Sequence, residues 1–536
     1  MTTTATSYRS TRPAGHDGFG QVLWAEWTKL RTVRGWVLTI FLAAALTAAV
    51  PIFLASTARS NDAVTCAHGV CEAEGQTIAV GPASTAVVDN FYFAHQSLAT
   101  DGSITARVSG LHGTGRLAIQ PGFPRPPSTM PWAKAGLIIK ASTRSGAAYM
   151  AVMLTGGHGV RMQYDFTHDV AGTSAGSAQW LRLTRTGDKV AAYESANGRQ
   201  WIEIGTAALP GLTGTAQAGL FVASPTFQAA IGSGDSSIGI GTHATASFEH
   251  IALAGARPGG QWTGTQVGTP NASVDIKIAV NGHQARKLQV SQAGSVQVAA
   301  GTVTVGGSGD IAPFEPIVDP LHVTFFGTLF GLIALITLGA LFVTAEYRRG
   351  LIRTTVTASP RRGRILLAKS IVIGVVAFVA GLVGGGIALP IASHKLYVNG
   401  WRPPVWPEVT LTSGIGLRVV LGTAAIAAAA TVLGLAAGAL FRRGTGAILA
   451  TTGVVIVPLI LALVLPLTLA TWLLRLFPAA AFSLQAGVPR YAQTGTVCAP
   501  YHSCFPLSPW HGFAVLCAWA AVALVVAIYA LRRRDV

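Results

Sequence analysis

The closest this sequence comes to a chemical centre is Asp165, His168 and Asp169, whose carboxylates and imidazole could hold a cation or hydrogen-bond a sugar. The same residues suit a polar turn between strands, and that is the expected role. Glu194, Glu203 and Glu249 could do acid–base work only in facing pairs, and each stands alone on its own expected strand. Cys66 and Cys71 form one close pair and Cys498 and Cys504 a second, with His68 and His502 between the paired cysteines. A closed metal site needs more ligands than either group offers, so two structural disulfides are expected, and no metal. The loop G-x-x-x-x-G-K-[ST] that cradles nucleotide phosphates does not occur. No catalytic residue and no cofactor are therefore assigned to this chain.

Composition explains why chemistry is so sparse. Half of the 536 residues are hydrophobic and only 11% are charged, with mean hydropathy +0.49, too apolar for an ordinary soluble chain. The apolar residues form long runs at 36–54 and again from 323 onward, whereas 59–320 is polar, Gly-rich and alternating. The net charge of +17 does not indicate nucleic acid. Many of the basic residues flank the apolar runs, and no basic stripe interleaved with aromatics occurs.

A span needs about 20 largely apolar residues, and six segments qualify: 36–54, 323–344, 370–392, 415–440, 446–470 and 512–531. The semi-apolar stretch 471–487 is broken by Arg475 and Pro478 and reads as a re-entrant or interfacial hairpin. None of the six carries an Asp, Glu or Lys in its interior, and Arg418 lies near an edge, so proton-coupled transport has no groups to run on. The first run follows a long tail and lacks a nearby A-x-A site, so it is not read as a cleaved signal. Arg9, Arg12, Lys29, Arg31, Arg34, Arg348, Arg349, Arg353, Arg361, Arg362, Arg364, Lys369, Arg442, Arg443, Arg532, Arg533 and Arg534 crowd one side of these spans. By the positive-inside rule both termini are cytoplasmic and 59–320 is extracytoplasmic, in a multi-pass plasma-membrane protein. Both cysteine pairs then fall on the oxidising side.

Within that insert, short alternating segments at 103–109, 136–141, 149–155, 160–164, 180–185, 190–195, 201–205, 217–223 and 247–253 are separated by turns such as Thr186-Gly187-Asp188 and Asn197-Gly198. Such spacing predicts a β-sandwich or jelly roll, with Trp180 and Trp201 expected in its core. The order Trp132-Ala133-Lys134-Ala135-Gly136-Leu137-Ile138-Ile139-Lys140, Trp180-Leu181-Arg182-Leu183, Tyr193…Asn197-Gly198…Trp201 and Gly219-Leu220-Phe221-Val222 resembles the concanavalin-A-like (laminin-G-like) lectin fold. The resemblance implies an extracellular glycan as a candidate ligand. The clustered carboxylates of the glucanase members do not occur.

On the cytoplasmic side, Phe19, Val22, Leu23, Trp27 and Leu30 fall near helical spacing with Lys29, Arg31 and Arg34 beside them. This is an amphipathic helix in the headgroup plane of the lipid membrane. After the second run comes Glu346-Tyr347-Arg348-Arg349-Gly350-Leu351-Ile352-Arg353-Thr354-Thr355. Together with Glu26-Trp27-Thr28-Lys29-Leu30-Arg31, this resembles the permease subunits of type-2 ABC exporters. The resemblance implies six spans, a permease dimer, and a separate ABC ATPase docked at Glu346, Tyr347, Arg348, Arg349, Gly350 and Arg353, with Trp24, Glu26, Trp27, Lys29 and Arg31 on the interfacial helix.

The expected organisation is a cytoplasmic tail and interfacial helix at 1–34, a first span at 35–56, a disulfide-containing linker at 57–86, a lectin-like sandwich at 87–255 and a β stalk at 256–320. Five further spans occupy 321–536, with a coupling loop at 345–369. The fold class is an α-helical polytopic membrane protein with an inserted all-β sandwich. The expected function is export of an unidentified, hydrophobic or amphipathic substrate. The competing reading is a membrane-anchored lectin-like receptor or adhesin without transport activity.

Overall fold

A computed structural model describes residues 18–60, 65–67, 70–73, 76–113, 126–173, 179–231, 236–256, 261–268, 279–280, 283–284, 294–348, 362–494, 498 and 504–533. Six of its helices are long and apolar enough to cross a membrane: Arg34–Thr57, Pro320–Arg348, Gly363–Val398, Gly414–Phe441, Gly444–Val464 and Pro509–Arg533. They are called the first to sixth spans below.

The second and fourth spans form the middle of the bundle, because their small residues let backbones approach closely. A Cβ on Gly339 would stand 2.3 Å from the Thr431 carbonyl oxygen, and one on Gly331 would stand 2.7 Å from that of Ala43. The first and sixth spans bury little and expose Leu38, Phe41, Phe53, Val522 and Val525, the surface a lipid phase requires. The fifth span stops at Val464 rather than at 470, because Pro466 follows and cannot continue the helix. Helix Leu467–Leu476 and the 3-10 turn Pro478–Gln485 then meet at 93°, a broken span or re-entrant element across 471–487. Its second arm is fully buried against the fourth and sixth spans.

The insert is organised by one strand, Ala86–Gly113, long enough to serve two sheets. Its first half lies between Ala216–Ala223 and Thr263–Val267, and the layer continues through Lys134–Lys140, Tyr149–Thr155, Val160–Tyr164 and His168–Ala171. Its second half lies between Gln179–Thr186 and Ala244–Ala256. That layer continues through Lys189–Ser195 and Ile202–Ala208 on one side and Thr302–Gly307 and Ser295–Ala299 on the other. Leu98, Ile104, Val108, Leu137, Ile139, Val152, Leu181, Leu183, Leu220 and Phe248 fill the space between the layers. The first layer is also covered on its other face by Phe91, Phe93, Tyr149, Phe166, Phe221 and Ile311. For that reason every residue of Lys134–Lys140 and Tyr149–Thr155 is buried, where alternation predicts one wet face.

Two expectations change here. The described strands within 256–320 pair into the sandwich rather than standing apart as a stalk. Thr263–Val267, Ser295–Ala299 and Thr302–Gly307 are strands of the sandwich sheets, and Asp310–Pro313 pairs with the start of the long strand. Trp180 and Trp201 are not core either. They lie half-buried on the open face of the second layer, Trp180 stacked on His250 and Trp201 beneath the Arg182 guanidinium at 3.9 Å. The inward positions of that strand belong to Leu181 and Leu183, so a one-residue step in register put the rings on the other side.

Candidate coupling site

The end of the bundle remote from the sandwich carries an ion network assembled from three elements. Helix Phe19–Thr32 precedes the first span, and the extended Val33 marks the joint between them. Glu26 and Leu30, four residues apart, share the face it buries, and that face packs against the third span. Glu346 lies in the last turn of the second span, and Lys369 lies early in helix Arg362–Val398 of the third.

Lys369 Nζ donates to Glu26 Oε2 and to Glu346 Oε1, both at 2.7 Å. Lys29 Nζ donates to Glu26 Oε1 at 2.9 Å and to Glu346 Oε1 at 3.1 Å. Two carboxylates and two ammonium groups thus balance in charge. Lys369 and Glu26 are each about 2% exposed, and the Phe342 ring closes over the Lys369 ammonium at 4.7 Å. Trp36 meets the same ring edge-on at 4.9 Å, tying the first span to the second. Burial by itself would pull the Lys29 ammonium pKa down. Its bonds to Glu26 and the attraction of Glu346 outweigh that and raise it above the ordinary lysine value. A buried charge is tolerated only when paired and hydrogen-bonded, and here the pairing can exist only while the three elements stay together.

The other described residues of the interfacial helix and of the expected docking set lie on two of the same elements. Trp24 is 64% exposed and Trp27 39%, with the Arg31 guanidinium 5.8 Å from the Trp24 ring centre. Arg348 is exposed, and Arg442 lies over the Tyr347 ring at 5.4 Å. Arg349, Gly350 and Arg353 lie outside the described residues. Glu26, expected on the interfacial helix, and Glu346, expected at the docking face, both turn inward onto Lys369, which the sequence pattern marks only as a topology charge.

The sandwich side holds the remaining chemical residues. Cys498 and Cys504 form a disulfide. Cys71 is disulfide-bonded, and Cys66 stands directly opposite it in an antiparallel pair. Cys517, away from that side within the sixth span, is a free thiol. Asp165, His168 and Asp169 do not converge. Asp169 accepts from Arg161 and Gln163, Asp165 accepts from the Tyr149 amide, and His168 stacks on Tyr164. Among the described residues no group of three or more His, Cys, Asp or Glu could hold a metal ion. Glu194 is buried and accepts from the Thr173 amide and hydroxyl, and Glu249 pairs with Arg107 at 2.7 Å. None of these offers a facing pair of carboxylates.

This is a polytopic helical membrane protein whose charged network sits where its spans leave the bilayer, with a β-sandwich inserted between its first and second spans. The family model "ABC-2 family transporter protein" matches residues 21–536, and the chain belongs to that family. It is thus a permease component of the ABC-transporter type. None of the curated proteins compared with it matches. Solved structures similar to parts of the chain include a functionally unknown Saccharomyces cerevisiae protein, at 14% identity over 31% of this chain and 74% of that one, TM-score 0.21. A GH43 protein from Bacillus licheniformis matches at 16% identity over 23% of this chain and 24% of that one, TM-score 0.17. Scytalido-glutamic peptidase matches at 11% identity over 41% of this chain and 98% of that one, TM-score 0.22.

Proposed function

We propose that this chain is the membrane-spanning subunit of an ATP-driven exporter, working as a dimer with a separate ATPase that docks on its arginine-rich face. The observation that carries the reading is the buried Glu26–Lys29–Glu346–Lys369 network. It joins the interfacial helix and the second and third spans into one body where the second span ends and the third begins. A partner pressing on that end, or on Trp24, Trp27 and Arg31 of the interfacial helix, would move all three elements together. Topology charges alone would need no buried carboxylates there.

In this reading both termini and the network are cytoplasmic, the sandwich is extracytoplasmic, and the host membrane is the plasma membrane. The distribution of arginines and the disulfide on the sandwich side support that orientation. The substrate is hydrophobic or amphipathic, in keeping with smooth Gly- and Ala-rich spans. The open sandwich face, with Trp180, Trp201, Arg182 and Arg107, makes an extracellular glycan the first ligand class to screen for the outer domain. An anchored receptor without transport would leave six spans and the network without a use.

The test is co-purification. Arg353→Ala, at the docking face, should weaken recovery of the ATPase and abolish transport while the protein still inserts. Arg533→Ala, which packs on Tyr529 at the end of the sixth span, is the control and should change neither. Full ATPase recovery and transport with Arg353→Ala, or no ATPase recovered with wild type, would exclude the docking assignment.

A further inference from the structure

The chain passes between sandwich and bundle twice, and those covalent connections would suffice to hold a passive domain. The structure adds much more. Ala86 N donates to the Pro404 carbonyl, Ser60 N to that of Asn399, and the Trp406 indole to that of Val318. Trp406, Val405 and Val488 close a common core with Cys71, Ile78, Ala86 and Phe314. The outer domain is therefore seated on the bundle.

One short segment, residues 485–494, bonds to the bundle at one end and to the sandwich at the other, and its Val488 joins the common core. At its start, Gln485 Nε2 donates to the hydroxyls of Thr328 on the second span and Thr423 on the fourth, at 3.0 and 3.1 Å. The amides of Gly487 and Val488 donate to Asp319 Oδ2 at 2.6 and 3.0 Å. The other oxygen of Asp319 accepts from His322 N and so caps the second span. The Tyr491 amide donates to Glu315 Oε1 at 2.6 Å, and Arg490 pairs with Oε2 of the same carboxylate. At its end, Gln493 Nε2 donates to the Phe166 and Thr167 carbonyls of the sandwich, both at 3.3 Å. That turn holds Asp165 and Phe166 at φ 44° and 67°, a left-handed pair that non-glycine residues adopt only when held.

The second span has thus been clamped at both ends. Asp319 ties its outer end to segment 485–494, and Glu346 ties its inner end to the lysine network. With 29 residues it bridges about 43 Å. We propose that segment 485–494 is a latch that couples the position of the outer domain to the state of the cytoplasmic network through the second span. This extends the permease reading by giving the sandwich a part in the transport cycle. By linkage, a ligand that biases the sandwich biases the affinity for a cytoplasmic partner by the same factor, and the converse holds.

The experiment follows amide hydrogen exchange in the full chain in nanodiscs, with no ATPase present, so failure of docking and failure of the latch give different results. Asp319→Asn and, separately, Gln493→Ala should speed exchange about tenfold or more in the peptides holding Glu26, Glu346 and Lys369. Arg199→Ala, on an exposed sandwich hairpin, should leave them unchanged. If Asp319→Asn fails to insert, Gln493→Ala carries the test, because its side-chain amide bonds to the sandwich turn and not to the cap of the second span. Faster exchange confined to 165–167 and 485–494, with the cytoplasmic peptides unmoved, would overturn the proposal.

Discussion

Lys369 stands 2.7 Å from an oxygen of Glu26, 343 residues earlier in the chain, and 2.7 Å from an oxygen of Glu346 on the neighbouring span. Replacing it with methionine keeps the stem and removes the charge. Two buried carboxylates then share Lys29, whose side chain is 39% exposed. Breaking a buried ion group by removing one member typically costs about 3–5 kcal/mol. Lys369→Met should therefore lower the thermal unfolding midpoint of the detergent-solubilised protein, and Glu26→Gln added to it should restore part of the loss. A midpoint equal to that of wild type for Lys369→Met would mean that the network contributes nothing to holding the three elements together.

That network also marks the limit of what the sequence discloses. Six spans are legible because roughly 20 apolar residues in a row have few other uses, and Arg475 and Pro478 announce the break before the last span, whereas the stop at Pro466 is hidden in an otherwise apolar run. The strand-turn rhythm around Gly187 and Gly198 is equally local, and both glycines do adopt positive φ. Glu26, Lys29, Glu346 and Lys369 read separately as topology charges or docking groups. Their meeting depends on how three helices pack, and no residue's neighbours along the chain encode that. The shift of Trp180 to the open face is a register effect, and the joining of Thr263–Val267, Ser295–Ala299 and Thr302–Gly307 to the sheets is a pairing between distant strands.

The sandwich carries a second buried pair that should respond differently to single and double replacement. Lys140 Nζ lies 2.6 Å from Asp89 Oδ2, and neither side chain is exposed at all. The same carboxylate oxygen accepts the Gly146 amide at 2.7 Å. Asp89→Ala leaves a buried ammonium with the Ala147 carbonyl and the faces of Tyr149 and Phe166 but no counter-charge bonded to it, and should cost the sandwich about 3–5 kcal/mol. Asp89→Leu combined with Lys140→Met should cost clearly less. Denaturant unfolding followed by near-ultraviolet circular dichroism measures both, and equal losses for single and double variants would refute the pairing argument.

Asp165 gives the sandwich a defined pH dependence. Burial raises its pKa above the ordinary aspartate value. The Tyr149 amide bond and the charges of His168 and Lys140 offset only part of that rise. The folded state therefore binds this proton more tightly than the unfolded chain. Its contribution to stability is full below the unfolded pKa, declines as pH climbs through the folded one, and is flat above it. Asp165→Asn removes the ionisation and tolerates the left-handed φ of 44°. The variant should be more stable than wild type at neutral pH, and the gain should shrink on acidification. A gain that is constant from acidic to neutral pH would place the effect in the backbone rather than in the charge.

Orientation is the expectation on which every statement about inside and outside depends, and it has a direct chemical test. Cys517 is the free thiol among the described cysteines and lies within the sixth span, so Cys517→Ala supplies a quiet background. Arg199 is exposed on a sandwich hairpin, and Arg364 is exposed near the start of the third span, in the helix that carries the lysine network. In that background, Arg199→Cys should react with a membrane-impermeant maleimide on intact cells. Arg364→Cys should react only after lysis, because the run of arginines around it holds that end of the span in the cytoplasm. The paired cysteines should stay silent until reductant is added, since Cys498–Cys504 and the bond to Cys71 occupy them. Labelling of Arg364→Cys on intact cells, with Arg199→Cys protected, would invert the molecule. The sandwich would then face the ATP pool, and the exporter reading would fail with it.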